Sequence, residues 1–386
     1  MSNKSTLALK AGLSALHYSG IGRLLSPVTS GQGAVFMLHH VAPGEPAGFA
    51  PNHLLQITPE FLDSVVREVR RQGFDTVTLD EARARMSGAV KSTRPFACFT
   101  FDDGYRDNRD HALPVLKRHG VPFTVYVATD FADGTGFLWW LVLERVIARR
   151  QFISVVLADR RETFRCTSDR EKTAAFERIY WHLRSIPEAE ARAIVAHLAE
   201  ETGIDPLGPC RELAMTWREI AELAAEPLVT IGAHTISHMA LGKLPAHMAH
   251  AEIAGSVRRI ERELGRPCRH FCYPYGDAGS AGDREFEMTA RLGMETAVTT
   301  RKGLLSASAG TRMTALPRVS LNGHYQHVRY LKALLSGVPF ALLRGLERPA
   351  AMPMPGYASA SAGGSGFCIQ RTSQAAGTTH ASPPTM

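Results

Sequence analysis

Two adjacent carboxylates close a run of strand-forming residues in "ACFTFDDGYRDN", Ala97 to Asn108. Like charges held that close repel unless a metal ion, a proton or a strong donor set neutralises one of them. Asp102 and Asp103 therefore demand a counter-charge. "GAHTISH" suggests what it is. His234 and His238 stand four apart just after another strand-like run, "LVTI". On one helical turn that spacing sets both imidazoles on the same side, as two neighbouring ligands of one metal require. By itself a histidine pair is common in a chain with sixteen histidines, His247 and His250 among them. Joined to a carboxylate from a different strand end, it becomes a two-His, one-Asp set with open positions for water and substrate. One aspartate then ligates the cation, and the other stays free as a base beside the water the cation activates.

Elements that bring such distant residues together are legible in the hydrophobic pattern. Strand-like runs ("AVFML", "TVTL", "ACFTF", "PFTVYVAT", "LVTI", "RHFCYPYG", "TAVTT", "LPRVSL") alternate with helical ones between residues 34 and 345. A helix opened by Thr58 and Pro59 carries Phe61, Leu62, Val65, Val66 and Val69 on one face, and Gly73 closes it. Thr216-Trp217-Arg218-Glu219 reads as a capping box. Strands separated by helices imply a mainly parallel sheet. With no glycine-rich dinucleotide loop, the pattern predicts a closed or nearly closed β/α barrel rather than a doubly wound sheet. The candidate chemistry sits at strand C-terminal ends, where such barrels keep it.

The alternation lapses over residues 137–211, which read as a helical insertion; "REKTAAFERIYWHLRSI" and "PEAEARAIVAHLAEETG" are its clearest helices. Trp139 and Trp140 open it and are expected to be buried. Residues 349–386 are rich in Pro, Gly, Ser, Ala and Thr without periodicity and read as a disordered tail. Residues 1–30 form an N-terminal amphipathic segment with Leu9, Leu13, Leu16, Leu24 and Leu25 beside Lys4, Lys10 and Arg23. Packing on the domain is the expectation for it, and peripheral membrane contact the alternative.

The 386 residues carry a formal net charge of +7, and no block of Lys or Arg reads as a nucleic-acid groove. Six scattered cysteines form neither a disulfide framework nor a thiolate zinc site. Neither a signal peptide nor a span of ~20 apolar residues is present, so a cytoplasmic protein is expected, with membrane association through the N-terminal segment as the alternative.

"TFDDG" (Thr100 to Gly104), "HTISH" (His234 to His238) and "FCYPYG" (Phe271 to Gly276), in that order, resemble the first three motifs of the polysaccharide deacetylase family, the NodB-homology group of carbohydrate esterase family 4. The resemblance implies an α/β fold, a distorted (β/α) barrel of the NodB type over residues 31–345 with the insertion at 137–211. It also implies removal of N-acetyl, sometimes O-acetyl, groups from sugars. Carried onto this chain, Asp103, His234 and His238 ligate the metal, and Asp102 is the catalytic base. Tyr275 gives its backbone N–H to the oxyanion, and Thr235 holds the histidine loop. "FMLHHV" resembles the family's N-terminal strand and aligns His39 rather than His40 with the site. Tyr105, Tyr273, Pro274 and Tyr275 are assigned to the substrate side.

The chain departs from the commonest family pattern at two points. Cys272 stands where the third motif usually has an arginine, and the family's late "LxH" motif has no clean match. "LPRVSLNGH" offers Arg318 to replace the missing guanidinium beside Asp102, and His324 as proton donor with His39 as its rival. These departures resemble the "YPYG" branch, which includes deacetylases of exopolysaccharide assembly. The expected activity is metal-dependent hydrolysis of N-acetyl groups on an N-acetylhexosamine-containing glycan: a chitooligosaccharide, an exopolysaccharide precursor or a lipid-linked glycan. Zn2+ is the default cation, and Co2+, Mn2+ or Ni2+ would fit. An amidohydrolase of a small non-sugar amide and a non-catalytic glycan-binding relative are the alternatives.

Overall fold

The computed structural model describes residues 3–306 and 311–347; the tail expected over 349–386 lies outside the described residues. In chain order the strands are β1 (Gly33–Leu38), β2 (His40–Val41), β3 (Gln56–Ile57), β4 (Asp75–Thr76), β5 (Phe96–Phe101), β6 (Phe123–Val127), β7 (Phe152–Leu157), β8 (Arg160–Arg165), β9 (Val229–Ala233), β10 (His270–Cys272), β11 (Thr296–Lys302) and β12 (Leu316–Ser320). The order β1-β12-β11-β10-β9-β6-β5 closes into a ring through β1 and β5, which pair from Gly33 with Phe96 to Leu38 with Phe101. Every pairing in the ring is parallel. β4 pairs with the start of β5 outside the ring. The fold is a distorted β/α barrel.

Burial on both faces explains why these strands read as near-continuous apolar runs. All six residues of β5 are buried, and so are all five of β6. The barrel interior is filled by Val35, Cys98, Tyr126, Cys272, Val298 and Leu316. Gly232 on β9 is required there, because a Cβ at that position would lie 2.6 Å from the Tyr126 ring. Outside the ring, the helix Pro59–Arg71 buries Phe61, Leu62, Val65, Val66 and Val69, and its first turn is capped by the Thr58 hydroxyl accepting from the Phe61 N–H at 3.2 Å. The helix Trp217–Ala224 opens on the Thr216–Glu219 capping box.

The insertion is not purely helical. Between its helices Trp139–Arg149 and Asp169–Ser185, β7 and β8 form an antiparallel hairpin, turned at Ala158 and Asp159 with positive φ at both. β7 alternates exposed and buried residues along its length. Leu138, Trp139, Trp140, Val142, Val146, Ile179 and Val195 give the insertion a core of its own, which Tyr105 from the barrel and Tyr275 also join.

Candidate functional site

The two aspartates emerge from β5 in different directions. The Asp102 N–H still donates to the Leu38 carbonyl at 2.9 Å, extending the β1–β5 ladder by one rung. Asp103 (φ 73) and Gly104 (φ 70) then both take the left-handed conformation and turn the chain away. A Cβ at Gly104 would press on Val127 at 3.3 Å, so the turn needs glycine there.

Asp102 is met by Arg318 of β12. Its two carboxylate oxygens accept from Nη1 and Nη2, both at 2.7 Å. The guanidinium also donates from Nε to the Thr299 carbonyl at 2.8 Å and from Nη1 to the Thr100 hydroxyl at 3.1 Å, while Nη2 faces the Cys272 sulfur at 3.3 Å. The fork therefore fills the space beside Cys272, the position where the family commonly carries an arginine. Burial alone would raise the Asp102 pKa; Arg318, helped by His39 and His234, overrides it and holds the carboxyl below its ordinary value. His39 approaches the same carboxylate, Nε2 to Oδ2, at 3.8 Å. Burial pushes the His39 pKa down and favours the neutral imidazole.

With Asp102 neutralised by Arg318, Asp103 is the charge left over. Its Oδ1 is buried without a hydrogen-bond donor and lies 3.3 Å from Nε2 of His234 and 3.2 Å from Nε2 of His238. The His234 Nδ1 is 2.7 Å from the Cys272 carbonyl. A carbonyl only accepts, so Nδ1 carries the hydrogen, and in the neutral ring the Nε2 lone pair points at Asp103. Lone pair against carboxylate is favourable only with a cation or an added proton between them. Burial opposes charging of both imidazoles. At His238 burial prevails and lowers the pKa; at His234 the neighbouring Cys272, Asp103 and Asp102 outweigh it and raise the pKa.

The donor set fits a divalent cation. Ligands each ~2.1 Å from one ion lie about 3.0–3.4 Å apart at octahedral to tetrahedral angles, and both Asp103–histidine separations fall in that range. Asp103, His234 and His238 group as buried candidate ligands; Asp102, His234 and Cys272 form a second such group, but there Arg318 already supplies the positive charge.

The histidine pair does not lie on a helical turn. "HTISH" is a loop after β9 in which Thr235 (φ 66) and His238 (φ 58) are both left-handed. The Thr235 hydroxyl accepts from the His238 N–H at 2.9 Å. Glu252, on the helix Ala246–Leu264, accepts from the Ile236 and Ser237 N–H groups, each at 2.9 Å. From the insertion, Arg192 donates to the Ser237 and His238 carbonyls at 2.9 and 3.2 Å. Of six non-glycine residues with positive φ among the described residues, four are Asp103, Thr235, His238 and Tyr275. Backbone strain is concentrated at the site.

The third loop brings Tyr275, again with positive φ (61), beside His238, ring to ring at 4.9 Å. Its N–H donates to no protein acceptor among the described residues. The insertion fixes its side chain: Trp139 Nε1 donates to the Tyr275 hydroxyl at 2.8 Å, and the Arg184 guanidinium lies 3.6 Å from the ring centroid. Trp140 packs on His238 at 5.0 Å. Trp139→Phe leaves the half-buried Tyr275 hydroxyl without its donor. The expected loss is about 1 kcal/mol of stability in urea denaturation. Adding Tyr275→Phe, which removes the orphaned hydroxyl, should recover part of it.

Several residues assigned to the site lie elsewhere. Tyr273 alternates with Cys272 along β10 and its continuation, so it points out of the barrel. Its hydroxyl bonds to Thr289 (2.6 Å) and the Thr314 carbonyl (2.8 Å), and its ring packs on Phe286. It is a core residue. Pro274 is buried; Tyr105, fully buried with its ring stacked 3.6 Å from His40, does lie at the site, where burial and the neighbouring Asp103 charge push its phenol pKa up, but neither presents a surface to a glycan. His324 lies in the turn Gly323–Tyr325, with Lys10 and His53 as its charged neighbours. It makes no hydrogen bond or ion pair with Asp102, Asp103, His234 or His238. Conversely, Glu252, Arg184, Arg192, Trp139 and Trp140 support the site; only the tryptophans were conspicuous in the sequence.

Two carboxylates and two imidazoles at the strand ends of a parallel barrel make a candidate metal site, and comparison with known proteins places the chain in a family. The sequence model of the family described as polysaccharide deacetylase matches residues 89–297, more than half of the chain. The chain belongs to the polysaccharide deacetylase family. The matched span holds Asp102, Asp103, His234, His238 and Tyr275, but begins after His39 and stops before Arg318. YxkH of Bacillus subtilis (strain 168), provisionally named a polysaccharide deacetylase, is 27% identical over 93 residues, 24% of this chain and 30% of that protein. The chain thus matches less than a third of that relative's length. Among solved structures, the Streptococcus pyogenes deacetylase PplD in complex with acetate is 16% identical, with 75% of this chain and 92% of that one covered at a TM-score of 0.49. IcaB from Ammonifex degensii is 18% identical, with 79% and 97% covered, also at 0.49.

Proposed function

We propose that the protein hydrolyses the N-acetyl groups of an N-acetylhexosamine-containing glycan, with a divalent cation, Zn2+ by default, held by Asp103, His234 and His238. The observation that carries this reading is Asp103 Oδ1, buried without a donor between two imidazole nitrogens at 3.2 and 3.3 Å. When bound, the cation lowers the pKa of a water from about 15.7 towards 7 and polarises the acetamide carbonyl.

The chain's own groups supply the rest. Asp102, ionised and aimed by Arg318, takes the proton of the attacking water. Bidentate pairing fixes the carboxylate's orientation at the expense of basicity, so geometry rather than pKa is its contribution. The free Tyr275 N–H, presented by its strained φ, donates to the oxygen on which negative charge grows. The departing amine needs a proton. Of the two expected donors, His39 is 3.8 Å from Asp102 and His324 is not beside it, so His39 relays the proton. A chitooligosaccharide, an exopolysaccharide precursor or a lipid-linked glycan each presents the same acetamide, and the insertion, which packs on Tyr275 and His238, shapes which is accepted.

Metal removal tests the reading. After chelation, acetate release from N-acetylglucosamine oligomers should fall to background. One equivalent of Zn2+ should restore it, with Co2+, Mn2+ and Ni2+ compared in the same assay. Full activity in the chelated protein sinks the proposal. Normal metal content with release from a small non-sugar amide alone assigns the site to the amidohydrolase alternative. Metal binding with no hydrolysis of any acetylated substrate leaves a glycan-binding protein.

A further inference from the structure

We infer that the outward face of the N-terminal helices docks the protein on an anionic lipid bilayer. Two helices, Asn3–Tyr18 and Ile21–Thr29, precede the barrel. In a helix packed on a globular body the apolar stripe faces inward. The second helix reverses this. Ile21, Leu24, Leu25 and Val28, spaced i, i+3, i+4 and i+7, are 49%, 77%, 39% and 83% exposed. Its inward face is small: Gly22 is its buried residue, and a Cβ there would lie 3.3 Å from Ser336. The Thr29 hydroxyl holds the end of the helix by donating to the Ser336 carbonyl at 2.5 Å.

The first helix is divided. Leu13 is buried against Tyr330 and Ala333 with Leu16 beside it, whereas Leu7, Leu9 and Tyr18 are exposed. The leucines expected to form one amphipathic face are thus split between the body and the solvent. Leu342 and Leu343, a few residues beyond Ser336, are exposed as well.

Charge selects the occupant. The sequence has no carboxylate before Glu45, while Lys10, half-buried, lies in the first helix and Arg23, exposed, in the second. Anionic headgroups complement those cations as shallowly inserted leucines and valine enter the acyl boundary. A second copy of the same face would bring cation against cation with no carboxylate to pair. No helix among the described residues is long and apolar enough to cross a membrane, so the contact inferred is peripheral. This inference is independent of the proposed hydrolysis.

Flotation of the full chain tests it, using vesicles of phosphatidylcholine alone and with about one-third phosphatidylglycerol. The protein should float with the anionic vesicles and stay in solution with the neutral ones. The double variant Leu24→Asp/Val28→Asp, which alters only exposed side chains, should bind at least about tenfold more weakly. Its melting curve and its hydrolysis of a soluble substrate should match the parent's. Failure of the parent to float with anionic vesicles overturns the inference, as does undiminished flotation of the variant. A parent dimer in sedimentation equilibrium that the same variant dissociates assigns the face to a second copy and also overturns it.

Discussion

Asp102→Asn should keep its cation and release acetate at about one-hundredth to one ten-thousandth of the parent rate. The amide matches the carboxylate in size but cannot take a proton from water, and the three groups facing the cation are untouched. Elemental analysis of the purified variant together with its acetate-release rate gives the result. Retained metal with full activity would transfer the base role to another group, whereas lost metal would place Asp102 among the ligands. The substitution also leaves Arg318 buried without its full counter-charge, so the assay belongs well below the variant's own melting temperature.

Arg318→Met should cost about 3–5 kcal/mol in urea denaturation, because it strands the Asp102 charge inside the barrel. Asp102→Asn/Arg318→Met should recover much of that, since removing both partners leaves no uncompensated charge. The effect has a defined pH dependence. In the parent, the folded-state pKa of Asp102 is depressed, so its stabilisation is present above the unfolded value of about 3.9 and lost as pH falls through the folded value. In Arg318→Met, burial, the largest influence on Asp102, is opposed only by His39 and His234 and raises that pKa, so stability declines as pH rises above about 4. The gap between the two proteins should therefore widen from about pH 3 to neutrality and be smallest at the acid end. A constant gap across that range would mean that lost packing, not the stranded charge, causes the destabilisation.

The barrel was legible because strands buried on both faces write themselves as apolar runs, and helices between them as a longer period. The hairpin inside the insertion was harder. β7 does alternate, but its turn is Ala158-Asp159 rather than the Asn-Gly or Asp-Gly pair that marks a tight hairpin, and the flanking helices dominate the pattern. In the site, the motifs led to Asp102, Asp103 and both histidines, yet the helical spacing suggested for the pair was accidental; two left-handed residues do what a helical turn was expected to do. Tyr273 shows a missed inference of the opposite kind. The period of two along β10 that turns Cys272 inward sends its neighbour outward, so proximity to a motif misled where alternation was available. Arg184, Arg192 and Glu252 carry no local signal, because each acts on a loop brought near only by the closed barrel.

The Asp102–Arg318 pair also sets an order on the protein's own synthesis. A ribosome releases Asp102 long before it makes the guanidinium 216 residues further on, and the strand bearing that guanidinium is the last to enter the ring. Until it docks, the nascent barrel stays open, with an unpaired anion at its mouth. A chain truncated after β11 would thus carry all three family motifs but lack the guanidinium that neutralises Asp102.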